Sequence, residues 1–202
     1  MDVEQIAERL WRWTTPHPEW KPDEDWPEIV GCVYLETPDA IVLIDPLVPA
    51  EPSERERFLF ALDRDVESAG AAPVFLRTVH WHHRSIDELA ERYEGTLWTR
   101  DAGAPPTGVE VIDAERADET LFFLREHLAL VAGDVLLGDG TGGIRVCPDS
   151  WLPADVSAAE FSERLRPLLE LPIERILVSH GEPVLSGGRD ALARALHAPS
   201  AA

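Results

Sequence analysis

Positive charge is scarce in this sequence, and lysine is nearly absent. The 202 residues include 38 acidic and 18 basic side chains, which gives a formal net charge of −20 at pH 7. Lys21 is the only lysine. Binding to nucleic acid depends on clustered cations that neutralise phosphates. The composition therefore argues against a nucleic-acid partner, and acidic residues spread along the chain indicate a well-solvated surface.

Cysteine and long apolar runs are scarce as well. Cys32 and Cys147 lack the spacing of a zinc site, so they are predicted to be small buried side chains in a reducing compartment. No apolar run approaches the roughly 20 residues of a membrane span. Residues 1–5 are acidic and do not resemble a signal peptide. We therefore expect a cytoplasmic protein with one domain, residues 1–202, and no membrane partner.

Alternating strand and helix patterns predict an α/β fold. Thr37-Pro38-Asp39 is a turn between two apolar runs, which indicates a hairpin. The proline-dense residues 16–27 are predicted to be a loop that either covers a cleft or packs on the edge of the core. The opening residues are predicted to form a short helix-like turn, and residues 135–140 lead into a glycine-rich loop that ends near Trp151. Strands are predicted at 10–14, 31–36, 40–45, 73–79, 95–99, 109–113, 120–124, 128–133 and 175–179. Helices are predicted at 53–68, 85–93, 157–169 and 188–197. The first three helices begin with capping boxes at Ser53, Ser85 and Ser157.

Histidines cluster after the predicted strand at 73–79, in the sequence His80-Trp81-His82-His83. In an extended backbone, residues i and i+2 point the same way, so His80 and His82 are predicted to present two imidazoles to one point. Neutral imidazole is the commonest protein ligand of transition metals, and two converging imidazoles make half of a zinc site. In the alternative interpretation, these histidines merely end a strand at the surface.

Side chains that bind or support metals follow four apolar runs of the sequence. They are Asp45, the pair His80 and His82, Asp134, and His180. Ligands of α/β folds gather beyond the carboxyl ends of strands. We therefore expect the three histidines and Asp134 to converge in one pocket, with Asp45 directly behind them.

With these residues in view, the chain resembles the metallo-β-lactamase superfamily over residues 10–196. The landmarks are Asp45 at a strand end, the His80-Trp81-His82 element, Gly133-Asp134, and Ser179-His180-Gly181-Glu182-Pro183. The resemblance implies an α/β (α+β) fold, a four-layer αββα sandwich with metal ions at one edge of its two sheets. Members of this family include thioesterases of the glyoxalase II kind, lactonases, β-lactamases, nucleases and oxidoreductases.

The sequence departs from the family pattern at the second metal site. That pattern is His-x-His-x-Asp-His, whereas Arg84 stands here at the aspartate and Ser85 at the final histidine. Glu115 aligns best with the third histidine of the first metal site. The resemblance therefore implies at most one divalent ion per chain, zinc or else Mn or Fe(II). Its candidate ligands are His80, His82, Asp134, Glu115 and His180.

Two functions are compatible with this resemblance. In the first, the protein is a metal-dependent hydrolase of a small ester, thioester or lactone, with Asp134, His180 and Asp45 as catalytic candidates. Arg84 and Trp151 are then the candidate substrate-binding residues.

In the second, the protein is a non-catalytic, metal-free relative. The Arg84 guanidinium would pair with Asp134 or Glu115 and replace the charge of the second ion. The same cleft would then bind a small anionic ligand or a partner protein.

Overall fold

The computed structural model describes residues 1–114 and 119–197. These residues form two compact units. The first comprises Met1–Arg77 and Trp81–Val109, and the second comprises Thr78–His80 and the described residues from Glu110 onward. The single domain over residues 1–202 stays a prediction. No helix in the described parts of the chain is both long enough and apolar enough to cross a membrane.

The first unit is built on a six-stranded sheet with strands in sequence order. These are β1 (Asp2–Ala7), β2 (Leu10–Pro16), β3 (Ile29–Glu36), β4 (Ile41–Ile44), β5 (Val74–Leu76) and β6 (Thr96–Leu97). The first four strands are antiparallel neighbours, and β4, β5 and β6 are parallel. Helix α1 (Pro52–Ala69) connects β4 to β5, and α2 (Ile86–Tyr93) connects β5 to β6. The predicted hairpin β3–β4 and the unit β4-α1-β5 are therefore confirmed.

Two local predictions in the first unit are wrong. The opening residues form strand β1 because they pair with β2, rather than making a helix-like turn. Helix α1 begins at Pro52 and its cap is Glu51, whose carboxylate accepts hydrogen bonds from the N–H groups of Ser53 and Glu54. The Ser53 hydroxyl, which also donates to this carboxylate, and the two backbone N–H groups hold the pKa of Glu51 below its usual range. The capping box predicted at Ser53 is therefore replaced by a cap two residues earlier.

The second unit contains a four-stranded sheet, a two-stranded sheet and two helices. Its strands are β7 (Val109–Asp113), β8 (Thr120–Leu124), β9 (Ala129–Ala132), β10 (Leu136–Gly138), β11 (Ile144–Val146) and β12 (Arg175–Val178). The larger sheet has the order β12-β9-β8-β7, with β12 parallel to β9. The helices of this unit are α3 (Ala158–Leu165) and α4 (Gly188–His197). Its buried core includes Phe123 and Leu130 from the sheet and Phe161 and Leu192 from the helices.

The second unit also corrects the sequence analysis at two places. The predicted glycine-rich loop contains β11, which pairs with β10 in a hairpin whose three-residue strands are too short for a periodic pattern. Helix α3 begins with the predicted capping box at Ser157, in which both reciprocal hydrogen bonds are present. It ends at Leu165 rather than Leu169, because Pro167 has no N–H to donate and the chain continues as a 3₁₀ turn.

Candidate functional site

In the first unit, a carboxylate and an imidazole meet at the carboxyl edge of the parallel strands β4 and β5. Asp45 directly follows β4, and its N–H donates to the carbonyl of Leu76 at 3.0 Å. Oδ2 of Asp45 lies 2.9 Å from Nδ1 of His82, and both side chains are buried. When Nδ1–H donates to this carboxylate, Nε2 of His82 is left with the lone pair that a metal needs.

The backbone around the histidines differs from the prediction. Residues His80–His83 form a 3₁₀ turn rather than an extended strand, so alternate side chains do not share a face. His82 is buried, whereas His80 is exposed. The ring of His83 contacts Asp87 Oδ1 at 2.7 Å and Arg77 Nη1 at 3.2 Å. The extended geometry is therefore wrong, and the assignment of His80 as a ligand stays a prediction.

In the second unit, the parallel strands β9 and β12 carry a second carboxylate–imidazole pair. Ala132 and Val178 are neighbours in register at the ends of these strands. Asp134 and His180 each lie two residues further along the chain, so both follow the same edge of the sheet. Nε2 of His180 lies 3.3 Å from Oδ1 of Asp134, and both side chains are buried.

The backbone at Asp134 is held by Glu119, a residue that sequence reasoning missed. Oε1 of Glu119 accepts hydrogen bonds from the N–H groups of Asp134 at 2.8 Å and Val135 at 3.0 Å. Glu119 is only 1% exposed. Gly133 permits this close packing, since a Cβ there would lie 2.4 Å from Oγ1 of Thr78 and 3.0 Å from Oε1 of Glu119. An acid just before an apolar strand is too common a pattern to identify such a role.

The turn that carries His180 is fixed by two glycines and flanked by an aromatic ring. The N–H of Gly138 donates to the carbonyl of His180 at 2.9 Å. Gly181 has φ 85°, and a Cβ there would lie 2.9 Å from Cα of Gly138. The Trp151 ring meets the His180 ring edge to face, with centroids 6.2 Å apart. Trp151, a predicted substrate-binding residue, therefore packs beside the imidazole.

Arg84 is anchored to backbone carbonyls of the first unit. Its Nη1 donates to the carbonyls of Gly31 at 3.0 Å and Asp45 at 2.9 Å. Arg84 and Asp45 have φ values of 44° and 50°, in the left-handed region that costs a non-glycine residue about 1–2 kcal/mol. The guanidinium thus stabilises the strained turn at Asp45. Its predicted ion pair with Asp134 stays a prediction, and Glu115 lies outside the described residues.

Ser85 also has a structural partner. Its hydroxyl accepts a hydrogen bond from the N–H of Val48 at 2.9 Å and makes no hydrogen bond that caps helix α2. The capping box predicted at Ser85 is therefore wrong, although the helix does begin at the next residue. Both residues at the family's second-site positions, Arg84 and Ser85, thus contact the segment around Asp45.

Arg84→Ala is expected to lower the free energy of unfolding by about 2 kcal/mol, because hydrogen bonds from a charged donor to two carbonyls are lost. Arg84→Gly loses the same bonds but relieves the left-handed strain, so it should be less destabilising by about 1 kcal/mol. Urea unfolding curves of the two variants measure both effects. Equal stability of the parent and Arg84→Ala would mean that these hydrogen bonds do not hold the turn at Asp45.

The structure is similar to solved metallo-β-lactamases. It matches one from Hirschia baltica with a TM-score of 0.65 and 12% identity, over 97% of this chain and 96% of that one. It matches one from Erythrobacter litoralis with a TM-score of 0.62 and 16% identity, over 96% and 89% of the two chains. The fold is that of the metallo-β-lactamases.

A metallo-β-lactamase family protein from Thermus thermophilus also shares the metallo-β-lactamase fold, with a TM-score of 0.56 and 16% identity over 96% of this chain and 80% of that one. At such identities the likeness shows the fold alone. No protein-family model matches the sequence, and no curated protein matches it either. The fold predicted from the sequence resemblance is therefore confirmed, whereas activity has to be argued from the side chains.

Each unit carries buried side chains with the chemistry of metal ligands. His82 is one of them in the first unit, and Asp134 and His180 are two of them in the second. Two imidazoles and one carboxylate are a ligand set found at catalytic zinc sites, where three protein ligands leave a fourth position open. Donors of these types suit a divalent ion, and their chemistry does not select zinc over manganese or iron.

Proposed function

We propose that the protein is a mononuclear metal-dependent hydrolase of a small ester, thioester or lactone. His82, Asp134 and His180 are the proposed ligands of its ion. One observation carries this proposal: in the second unit, Nε2 of His180 lies 3.3 Å from Oδ1 of Asp134 and both side chains are buried, so an imidazole and a carboxylate offer ligand atoms side by side. In the first unit, Asp45 orients the buried ring of His82, and two imidazoles with one carboxylate are a ligand set of catalytic zinc sites.

A bound divalent ion of this kind polarises a carbonyl group and lowers the pKa of a water molecule toward about 7. The protein prepares the ligands for it. Asp45 holds Nδ1 of His82 and so directs Nε2 outward. Glu119 fixes the backbone of Asp134. The Trp151 ring lies edge to face beside the imidazole of His180.

Nε2 of His180 lies 3.3 Å from Oδ1 of Asp134, so with an ion bound both atoms would hold the ion rather than a proton. The predicted acid–base role of His180 applies to an ion held by His80, His82 and Asp134, in which case the imidazole of His180 is not a ligand. Metal content separates the two roles, since only a ligand role affects it.

The experiment starts with elemental analysis of protein purified without added metal. We expect one divalent metal per chain in the parent, and a loss of metal in His82→Ala and Asp134→Ala. Hydrolysis of 4-nitrophenyl acetate, a short-chain acyl thioester and γ-butyrolactone should be abolished by a chelator and restored by one equivalent of metal. His83→Ala is the matched control, because its ring contacts Arg77 and Asp87.

Three outcomes would contradict the proposal. Two tightly bound ions per chain would exclude a mononuclear site. Full metal content without hydrolysis of any of the three substrate classes would exclude the hydrolase. A parent protein that is metal-free and whose unfolding is unaffected by added zinc would instead support the metal-free relative.

A further inference from the structure

A cavity in the first unit is lined by α1 and strands β1 to β4. None of its lining residues is a candidate metal ligand. Its volume is about 550 Å³, within the range of about 300–1,000 Å³ for small-molecule sites. Two of its apolar side chains face solvent: Val3 is 60% exposed and Phe60 is 64% exposed. Apolar side chains exposed at the opening of a cavity are a feature of ligand-binding grooves.

The strand register makes the floor of the cavity aromatic. Trp11 lies opposite Tyr34 on the neighbouring strand, and Tyr34 lies opposite Leu43 on the next. The Trp11 and Tyr34 rings meet edge to face with centroids 5.3 Å apart. On the helix side, the Phe58 ring lies 5.4 Å from that of Trp13. An apolar body of moderate size therefore has aromatic surface on both sides.

Two carboxylates distinguish one end of this cavity. Glu36 and Asp65 line both the large cavity and a neighbouring one of about 300 Å³, and so does Tyr34. The hydroxyl of Tyr34 donates to Oε1 of Glu36 at 3.1 Å. Burial, together with the charge of Glu36, raises the pKa of Asp65. Burial and the charges of Asp65 and Glu36 likewise raise the pKa of Tyr34. Both carboxylates therefore act on the Tyr34 hydroxyl at this end of the cavity.

The charge at this end favours a positive ligand. The carboxylates of Glu36 and Asp65 repel each other, and a cation between them would relieve that repulsion. Tyrosine and tryptophan rings attract cations through their faces as well. Arg57 also lines the large cavity, and the charge of Arg64 acts on Asp65, but burial and the charge of Glu36 outweigh it because the pKa of Asp65 is raised. A neutral ligand would gain only the apolar contacts, and an anion would be repelled.

We propose that this cavity binds a small organic ammonium ion that carries an aromatic or alkyl body. The ammonium group lies against Glu36 and Asp65 and donates hydrogen bonds to their carboxylates. The apolar body lies between Trp11 and Phe58. This site is independent of the proposed metal-dependent hydrolysis, because its residues and its ligand chemistry are different.

The test compares three ligands with the same body and different charge: 4-phenylbutylamine, 4-phenylbutanol and 4-phenylbutyrate. Titration calorimetry, together with the tryptophan indole N–H signals in NMR spectra, measures the dissociation constants. The amine should bind saturably and at least about ten-fold more tightly than the alcohol, since an ion pair and a cation–π contact are added. The carboxylate should show no saturable binding.

Variants then test whether the two carboxylates cause the preference for the amine over the alcohol. Glu36→Gln with Asp65→Asn should weaken amine binding at least about ten-fold and leave alcohol binding unchanged. The double variant should remain folded, because burial already disfavours the charged form of Asp65 and raises its pKa. Glu67→Gln is the control, since Glu67 lies on the same helix and lines neither cavity.

Any one of three results would overturn the proposal: the alcohol is found to bind as tightly as the amine, the double variant is found to bind the amine as tightly as the parent, or no ligand is found to bind saturably. A concentration-dependent dimer in sedimentation velocity, lost in Phe60→Ser, would show that a second copy of the chain occupies the cavity.

Discussion

Glu119→Ala is expected to lower the free energy of unfolding by about 3–5 kcal/mol. The parent carboxylate accepts hydrogen bonds from the buried N–H groups of Asp134 and Val135. Alanine leaves both N–H groups without that acceptor, and each buried donor that makes no hydrogen bond costs about 1–3 kcal/mol. The missing side chain also leaves a cavity at a site that is 1% exposed. Urea unfolding curves measure the change.

The same substitution should act on the proposed metal site, because Glu119 holds the backbone of a proposed ligand. Groups that orient metal ligands typically change metal affinity about 10–100-fold when they are removed. Competition with a chromogenic chelator measures that affinity. Glu119→Gln keeps one acceptor oxygen and should therefore lose less stability and less metal affinity than Glu119→Ala.

Glu163→Ala is the matched control in the same unit. Glu163 forms an exposed pair with Arg166 at 2.8 Å, and such surface pairs contribute about 0–1 kcal/mol. A loss of stability in Glu119→Ala no larger than that of Glu163→Ala would contradict the role assigned to the buried carboxylate. An unchanged metal affinity in a destabilised Glu119→Ala would restrict that role to folding.

The parts of the fold that sequence reasoning predicts depend on neighbours along the chain. The hairpin β3–β4 is indicated by a turn sequence between two apolar runs, and the start of α3 by the reciprocal capping residues Ser157 and Glu160. Strand β1 is not predictable in this way, because its first four residues are exposed and only its pairing with β2 makes it a strand. The β10–β11 hairpin is similarly defined by pairing between three-residue segments.

The candidate site shows the same division. Asp45 in the first unit, and Asp134 and His180 in the second, are predictable because each follows an apolar strand, where polar side chains of α/β folds gather. Glu119 is not predictable, since its partners lie 15 and 16 residues away and bind through backbone N–H groups. Arg84 contacts the carbonyl of Gly31, 53 residues away. The sequence therefore predicts polar side chains at strand ends better than the residues that hold them in place.

Gly138→Ala is expected to lower the free energy of unfolding by about 3 kcal/mol or more, although Gly138 is not in the left-handed region. A Cβ there would lie 2.5 Å from the backbone N and 2.6 Å from the backbone O of Glu182. Backbone atoms cannot swing aside as a flexible side chain can, so β10 and the turn at His180 must separate. The hydrogen bond from Gly138 to the carbonyl of His180 would be weakened as well.

Gly140→Ala is the control that separates steric overlap from backbone strain. Gly140 has φ 76° and no atom within 4 Å of a Cβ placed on it, so alanine there should cost only about 1–2 kcal/mol of strain. Urea unfolding gives the two stabilities, and chelator competition gives the two metal affinities. Because the displaced turn carries His180, only Gly138→Ala should also weaken metal binding. If Gly140→Ala lowered both the free energy of unfolding and the metal affinity more than Gly138→Ala, the contact between β10 and the His180 turn would not determine the position of the His180 imidazole.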